Sequence, residues 1–139
     1  MPVLKVYLDT SRHSTESLTA FLKAATTTFA NTLESPQERI RVYLLAVAAE
    51  HMAIGGVIRP PADLEAPFFE FYLLAGRPAE HKRRLIEDFT ALLANLLGYR
   101  ASQIRGCCWH VAPDDWGIGG VSAAEIRARE IAIRAEKLV

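Results

Sequence analysis

The chain carries one pattern twice. Arg41 stands 14 positions before Gly55 in the run Ile54-Gly55-Gly56-Val57, and Arg105 stands 14 before Gly119 in Ile118-Gly119-Gly120-Val121. Upstream, Pro2 precedes Arg12 by ten positions and Pro67 precedes Arg77 by ten. The copies are offset by 65 residues at the prolines and first arginines, then by 64 at the second arginines, at Met52/Trp116 and at the glycine pairs. One extra residue in the first copy accounts for the drift. A period this long within 139 residues leaves room for two supersecondary units, each below the size at which a core is comfortably stable alone.

Each unit reads as strand, helix, strand. Val3 to Leu8 alternates, with Leu4, Val6 and Leu8 opposite Lys5 and Tyr7, which is the period of a strand. Phe68 to Leu74 repeats it, with Phe69, Phe71 and Leu73 opposite Glu70 and Tyr72. Leu18, Phe21, Leu22, Ala25, Phe29 and Leu33 recur at helical spacing, predicting a helix from about Ser14 to Thr32. Leu85, Ile86, Phe89, Leu92, Leu93, Leu96 and Leu97 predict a second, with Pro78 at its start and Gly98 as its stop. β-Branched and aromatic runs follow at Ile40–Val47 and Ile104–Val111. Strands joined through a helix of this length lie parallel with a right-handed crossover.

The expected fold is therefore α+β, two fused β-α-β units forming a four-stranded sheet with both helices on one face. The units fall at residues 1–58 and 67–121, joined by a proline-rich linker at 59–66. Residues 122–139 predict a short charged helix, whose Ile126, Ile131, Ile133 and Leu138 form only a partial stripe, a packing or oligomer arm. Leu4, Val6, Phe69 and Phe71 are expected not all to fit under one layer of helices. The second sheet face is then apolar, and covered by other copies of the chain.

Composition narrows the partners. Lys plus Arg equals Asp plus Glu at 16 each, so no global field draws the chain to nucleic acid or an anionic membrane. His81-Lys82-Arg83-Arg84 reads as a solvated helix face. Cys107 and Cys108 are adjacent, which excludes a loop-closing disulfide framework or a four-ligand metal site and fits a reducing cytoplasmic setting. They alternate across a strand, so one is expected to be buried. His51 and His110 have no partners at metal-ligand spacing. No run reaches the roughly 20 apolar residues of a membrane helix, and Met1–Arg12 lacks the features of a signal peptide.

The chemistry starts at Pro2. If Met1 is removed, the chain begins with a secondary amine, and an α-amino group titrates near about 8. Burial or a nearby cation moves that value toward neutrality, where a general base works best. Pro67 is internal; its nitrogen is a tertiary amide with no basicity.

On Pro2, Arg12, Arg41 and Met52, and on Pro67, Arg77, Arg105 and Trp116, the sequence resembles the tautomerase superfamily, and within it a tandem-fused 4-oxalocrotonate tautomerase. The likeness spans roughly residues 2–57 and 67–121, and is strongest from Leu74 to Lys82 and from Asp114 to Gly120. It implies a homotrimeric isomerase that uses no cofactor and no metal. Pro2 would be the base acting on a small carboxylate, with Arg77, Trp116 and Leu74 from the partner unit forming the substrate site. A second-strand arginine would come from a neighbouring subunit. Arg41 and Arg105 both fit, and Arg105 is preferred. Arg12, paired in register with a non-basic Pro67, becomes structural.

The reaction implied is keto–enol proton transfer in 2-hydroxy-dienoates or phenylenolpyruvate-type 2-oxo acids. Two alternatives share the scaffold. One is hydration, dehalogenation or decarboxylation of three-carbon acids, but Phe29 stands where the cis-specific chloroacrylate dehalogenases have a histidine, and Ala75 where malonate semialdehyde decarboxylase has a further arginine. Asp114 or Asp115 could substitute there, although their first reading is as turn caps. The other is a non-catalytic interaction protein of the cytokine-like kind, which Met52 and the tail would permit.

Overall fold

The computed structural model describes residues 1–139. The first copy folds as β1 (Val3–Leu8), α1 (Thr15–Leu33) and β2 (Arg41–Ala46), closed by a hairpin of β3 (Ala53–Ile54) and β4 (Val57–Ile58). The second follows as β5 (Phe68–Leu74), α2 (Ala79–Leu97) and β6 (Arg105–Val111), with the hairpin β7 (Gly117–Ile118) and β8 (Val121–Ser122). The tail forms α3 (Ala123–Ile126) and α4 (Ala128–Lys137), broken at Arg127. No helix is long and apolar enough to cross a membrane.

Local chemistry sets the helix ends. The Ser14 hydroxyl accepts the Ser17 N–H at 3.1 Å and caps α1. Gly98 ends α2 in the left-handed region at φ 77°, which glycine adopts without a Cβ penalty. The same position after α1 is Glu34, at φ 51°.

The four-stranded sheet runs β2-β1-β5-β6. Each copy's own strands pair in parallel, whereas β1 and β5 pair antiparallel with Lys5 opposite Glu70. Both helices cover one face. Leu4, Val6, Phe69 and Phe71 are all fully buried beneath them, against Phe21, Phe29, Leu85, Phe89 and Leu93. Phe29 and Phe89 meet edge to face at 4.8 Å between centroids and join the two helices.

This corrects the expectation of an apolar second face. The two-residue period sends Leu4, Val6, Leu8, Phe69, Phe71 and Leu73 of the central strands to the helix side, leaving Lys5, Tyr7, Glu70 and Tyr72 on the other, with Val3, Phe68 and Leu74 at its ends. There Lys5 Nζ lies 3.0 Å from Glu70 Oε1, and the Tyr7 and Tyr72 hydroxyls donate to the same oxygen at 3.2 and 2.9 Å. Burial alone would raise the Glu70 carboxyl; the bonds from Lys5, Tyr72 and Tyr7, with the Lys5 charge, outweigh it and hold it below the usual range. Exposed Tyr43, Phe68 and Trp109 lie on the strands around this cluster. The open face is aromatic and polar.

The two copies also share out volume differently. Leu4 sits across from Val42 in the first, whereas the larger Phe69 sits across from Gly106 in the second. A Cβ at Gly106 would overlap the Phe69 ring. Beside it, Cys107 and Cys108 are both half-buried, so neither is sequestered as expected. Burial pushes the Cys108 thiol up to about 11, which keeps it protonated at neutral pH.

The linker is tied down by charge. Arg12 Nη1 pairs with Glu65 Oε2 at 2.6 Å, and Nη2 donates to the Pro60 carbonyl at 3.0 Å. Glu65 is 3% exposed and Pro60 is fully buried, so this pair works at reduced dielectric. Asp9 adds a second carboxylate 3.5 Å from Arg12 Nε.

Two stability tests follow from this packing. Gly106→Val is expected to lower unfolding free energy by about 1–3 kcal/mol through overpacking. Adding Phe69→Leu should recover part of the loss in urea denaturation; strictly additive losses would contradict the contact. Glu65→Gln, which leaves Arg12 with only the more distant Asp9 carboxylate, is expected to cost about 1–3 kcal/mol, whereas an unchanged denaturation midpoint would show the pair to be idle.

Candidate active site

Antiparallel pairing places the start of β1 beside the end of β5, and this brings Pro2 against Leu73, Leu74 and Arg77, with Leu33 at the end of α1 closing the floor. Pro2 itself is buried. Arg77 Nη1 donates to the Leu33 carbonyl at 2.9 Å, at a helix end whose carbonyls carry partial negative charge. Arg77 pairs with no carboxylate. Burial, followed by the charge of Arg134, pushes it down to about 10 against the pull of Glu130 and Glu34. It is still a cation at neutral pH.

Met1 lines the same pocket, and with it in place the space beside Pro2 is only about 20 Å³, scarcely more than one water requires. The terminal amine of Met1 lies below the usual α-amino range, first because it is buried and then because Arg127, Arg41 and Arg39 approach it. Arg127, Arg41 and Arg39 thus gather around the terminal amine.

Of the residues singled out from the sequence, Pro2, Leu74 and Arg77 come together. Arg41 is adjacent: its N–H donates to the Pro2 carbonyl at 3.1 Å, and its Nη1 is held by the carbonyls of Glu38 and Ile40 at 2.7 and 3.1 Å. Arg105 repeats this at the opposite sheet edge, its N–H to Pro67 at 3.4 Å and its Nη1 to Ser102 and Ile104 at 2.9 and 3.2 Å. With β1 and β5 lying between the two edge strands, Arg105 does not share the Pro2 pocket of its own chain. Trp116 also stands apart, its indole 6.4 Å from the Tyr72 ring. Ile118, two residues on, lines the space beside Met1 instead. Asp114 and Asp115 sit exposed in a turn, and Phe29 is core. No group of three His, Cys, Asp or Glu side chains comes together in a way that could hold a metal.

Sequence reasoning missed the roof. Arg39 makes a paired contact with Glu130 at 2.9 and 3.1 Å, and this fork holds α4 over the Pro2 end of the sheet. Arg127, Glu130, Ile131 and Arg134 then line the space shared with Met1 and Arg77. Their spacing is that of one helix face. The signal was present in the charges of the tail, but its isoleucines alone gave only a partial stripe.

The pseudo-equivalent end of the other copy is closed. Arg12, in register with Arg77, is already occupied by the Glu65 carboxylate. Next to it, His13 Nε2 and the Tyr99 hydroxyl lie 2.6 Å apart. One arginine of the related pair holds a carboxylate, and the other stands without one.

The comparisons with known proteins agree with this doubled arrangement. A family profile described as "Tautomerase enzyme" matches twice, over residues 2–59 and 67–126. A 2-hydroxymuconate tautomerase of Comamonas testosteroni is 38% identical over 60 residues, which cover 43% of this chain and 95% of that one. Another from Pseudomonas putida is 33% identical with the same coverage. Among solved structures, a native fused 4-OT superposes with a TM-score of 0.81 at 27% identity, covering 90% of this chain and 98% of that one. A fused 4-OT described as a wild-type asymmetric trimer gives 0.81 at 27% identity, covering 89% and 98%.

Proposed function

The chain belongs to the tautomerase family, and from that footing we propose that it is an isomerase that moves a proton within a 2-hydroxy-dienoate or phenylenolpyruvate-type 2-oxo acid. Pro2, freed by removal of Met1, is the base. The observation that carries this reading is the contrast between the two copies: Arg12 grips the Glu65 carboxylate, while Arg77 faces buried Pro2 with no anion of its own. An arginine placed by the same register is a carboxylate site in one copy, so its twin is read as the substrate's.

The steps follow from charge. The carboxylate of the substrate docks on Arg77, with its C2 hydroxyl directed at the Pro2 nitrogen. Pro2 takes the hydroxyl proton, the O–H electron pair becomes the π bond of the C2 carbonyl, and the displaced double-bond pair leaves a carbanion-like carbon further along the substrate. Protonated Pro2 returns the proton to that carbon, which restores the amine. Negative charge that builds on the dienolate oxygen is met by guanidinium groups in a pocket with little water, where their field is strong. Burial and the neighbouring arginines favour the neutral amine, as they do for the terminal amine at Met1.

The relatives described as trimers support a homotrimer here, with the face bearing Tyr43, Phe68 and Trp109 turned inward. In that assembly either Arg105 or Arg41 closes the Pro2 site across a subunit boundary, Arg105 being preferred because it lies at a free sheet edge away from its own Pro2, while Trp116 serves the site from the second copy of the same chain.

With loss of Met1 verified by intact mass, Pro2→Ala and Arg77→Ala are each expected to lower kcat/KM for 2-hydroxymuconate or phenylenolpyruvate by at least about a hundredfold. Wild-type kcat/KM in Arg77→Ala would remove Arg77 from the site. Arg105→Ala is expected to lose more than Arg41→Ala, and the reverse order would assign the second arginine to Arg41.

A further inference from the structure

We infer that α4 builds a second anion subsite at the mouth of the Pro2 pocket, where Arg134 takes the distal carboxylate of a dicarboxylic substrate. The subsite rests on the Pro2 reading for its place in catalysis, but its binding chemistry stands on separate observations.

A cavity of about 390 Å³ opens between the end of α1, the start of α2 and α4, and Arg77 and Leu33 are shared between its wall and the Pro2 pocket. That is enough for a small organic ligand. The lining is cationic: Arg39, Arg77, Arg134 and Lys137 stand against only Glu34 and Glu130. Glu130 is engaged by the fork from Arg39. Arg134 and Arg77 make no ion pair, yet they are close enough for Arg134 to weaken the protonation of Arg77. Glu130 and Glu34 act on Arg77 from the same lining but neither pairs with it, and an anion between the two guanidiniums turns their repulsion into attraction. His81 stands in the same wall, and its Nδ1 has no hydrogen-bond partner.

Placement completes the case. Arg134 lines both this cavity and the narrower space around Met1, so a molecule anchored by one carboxylate near Arg77 and Pro2 extends toward it. Helix α4 lies outside both segments matched by the family profile. The subsite is therefore an addition to the shared β-α-β frame, and it adds to whatever preference the frame's own arginines give.

The test compares muconate with sorbate, two six-carbon dienes that differ in having two carboxylates or one. Binding to the full chain lacking Met1 is measured by calorimetry. The wild type is expected to prefer muconate, and Arg134→Gln to cut the muconate-over-sorbate preference about tenfold, the scale of one charge-assisted hydrogen bond. Arg134→Lys should retain most of the preference and Arg134→Glu abolish it, and either comparison serves if the Gln variant does not fold. A wild type without preference, or an Arg134→Gln variant with the wild-type ratio, would overturn the subsite. Because the readout is binding, a chain that shows the preference yet turns over no enol would count against the Pro2 reading alone.

Discussion

The antiparallel pairing of β1 with β5 is the contact on which the rest of the molecule depends. It sets Lys5 against Glu70 at the middle of the sheet, and it carries Pro2 to the end of β5, where Leu74 and Arg77 wait. A shift of one residue would turn Leu4, Val6, Phe69 and Phe71 out of the core and Lys5 and Glu70 into it. Core packing, the Lys5–Glu70 ion pair on the open face and the position of Pro2 therefore specify one register together.

Duplication supplied that frame, and divergence made the two ends of it unlike. At one end the linker folds back, and Glu65 occupies Arg12 while Pro60 fills the space beneath. At the other end Arg77 stays free of carboxylates, and α4 is pinned above it by Arg39 and Glu130. A charge that stabilises the fold in one copy is left available for a ligand in the other. The same division runs through the core, where Phe69 over Gly106 replaces Leu4 over Val42.

Much of this was legible in the sequence because repeat register and side-chain period are properties of local spacing. The main strands, both long helices and the Gly98 stop follow from it, whereas the grouping of Pro2, Leu74 and Arg77 comes from the family resemblance. What could not be read depended on contacts between distant segments. The open face was misjudged because the capacity of two helices to cover four large side chains is a matter of packing volume, not of pattern. Helix α4 was legible as a helix, but its seat is fixed by Arg39, 91 positions before Glu130. The closure of the Arg12 end by Glu65 likewise joins two residues with no shared period.

On this reading the chemistry starts from a free amine at Pro2, with Arg77 in its pocket. The most direct measurement is a pH titration of the Pro2 nitrogen by ¹⁵N NMR in the purified chain. A secondary amine titrating below the roughly 8 of an ordinary α-amino group is expected, because Pro2 is buried beside Arg77 and burial and a nearby cation both favour the neutral amine. An amide resonance that does not titrate, or an amine with the ordinary value, would contradict the assignment of Pro2 as the base.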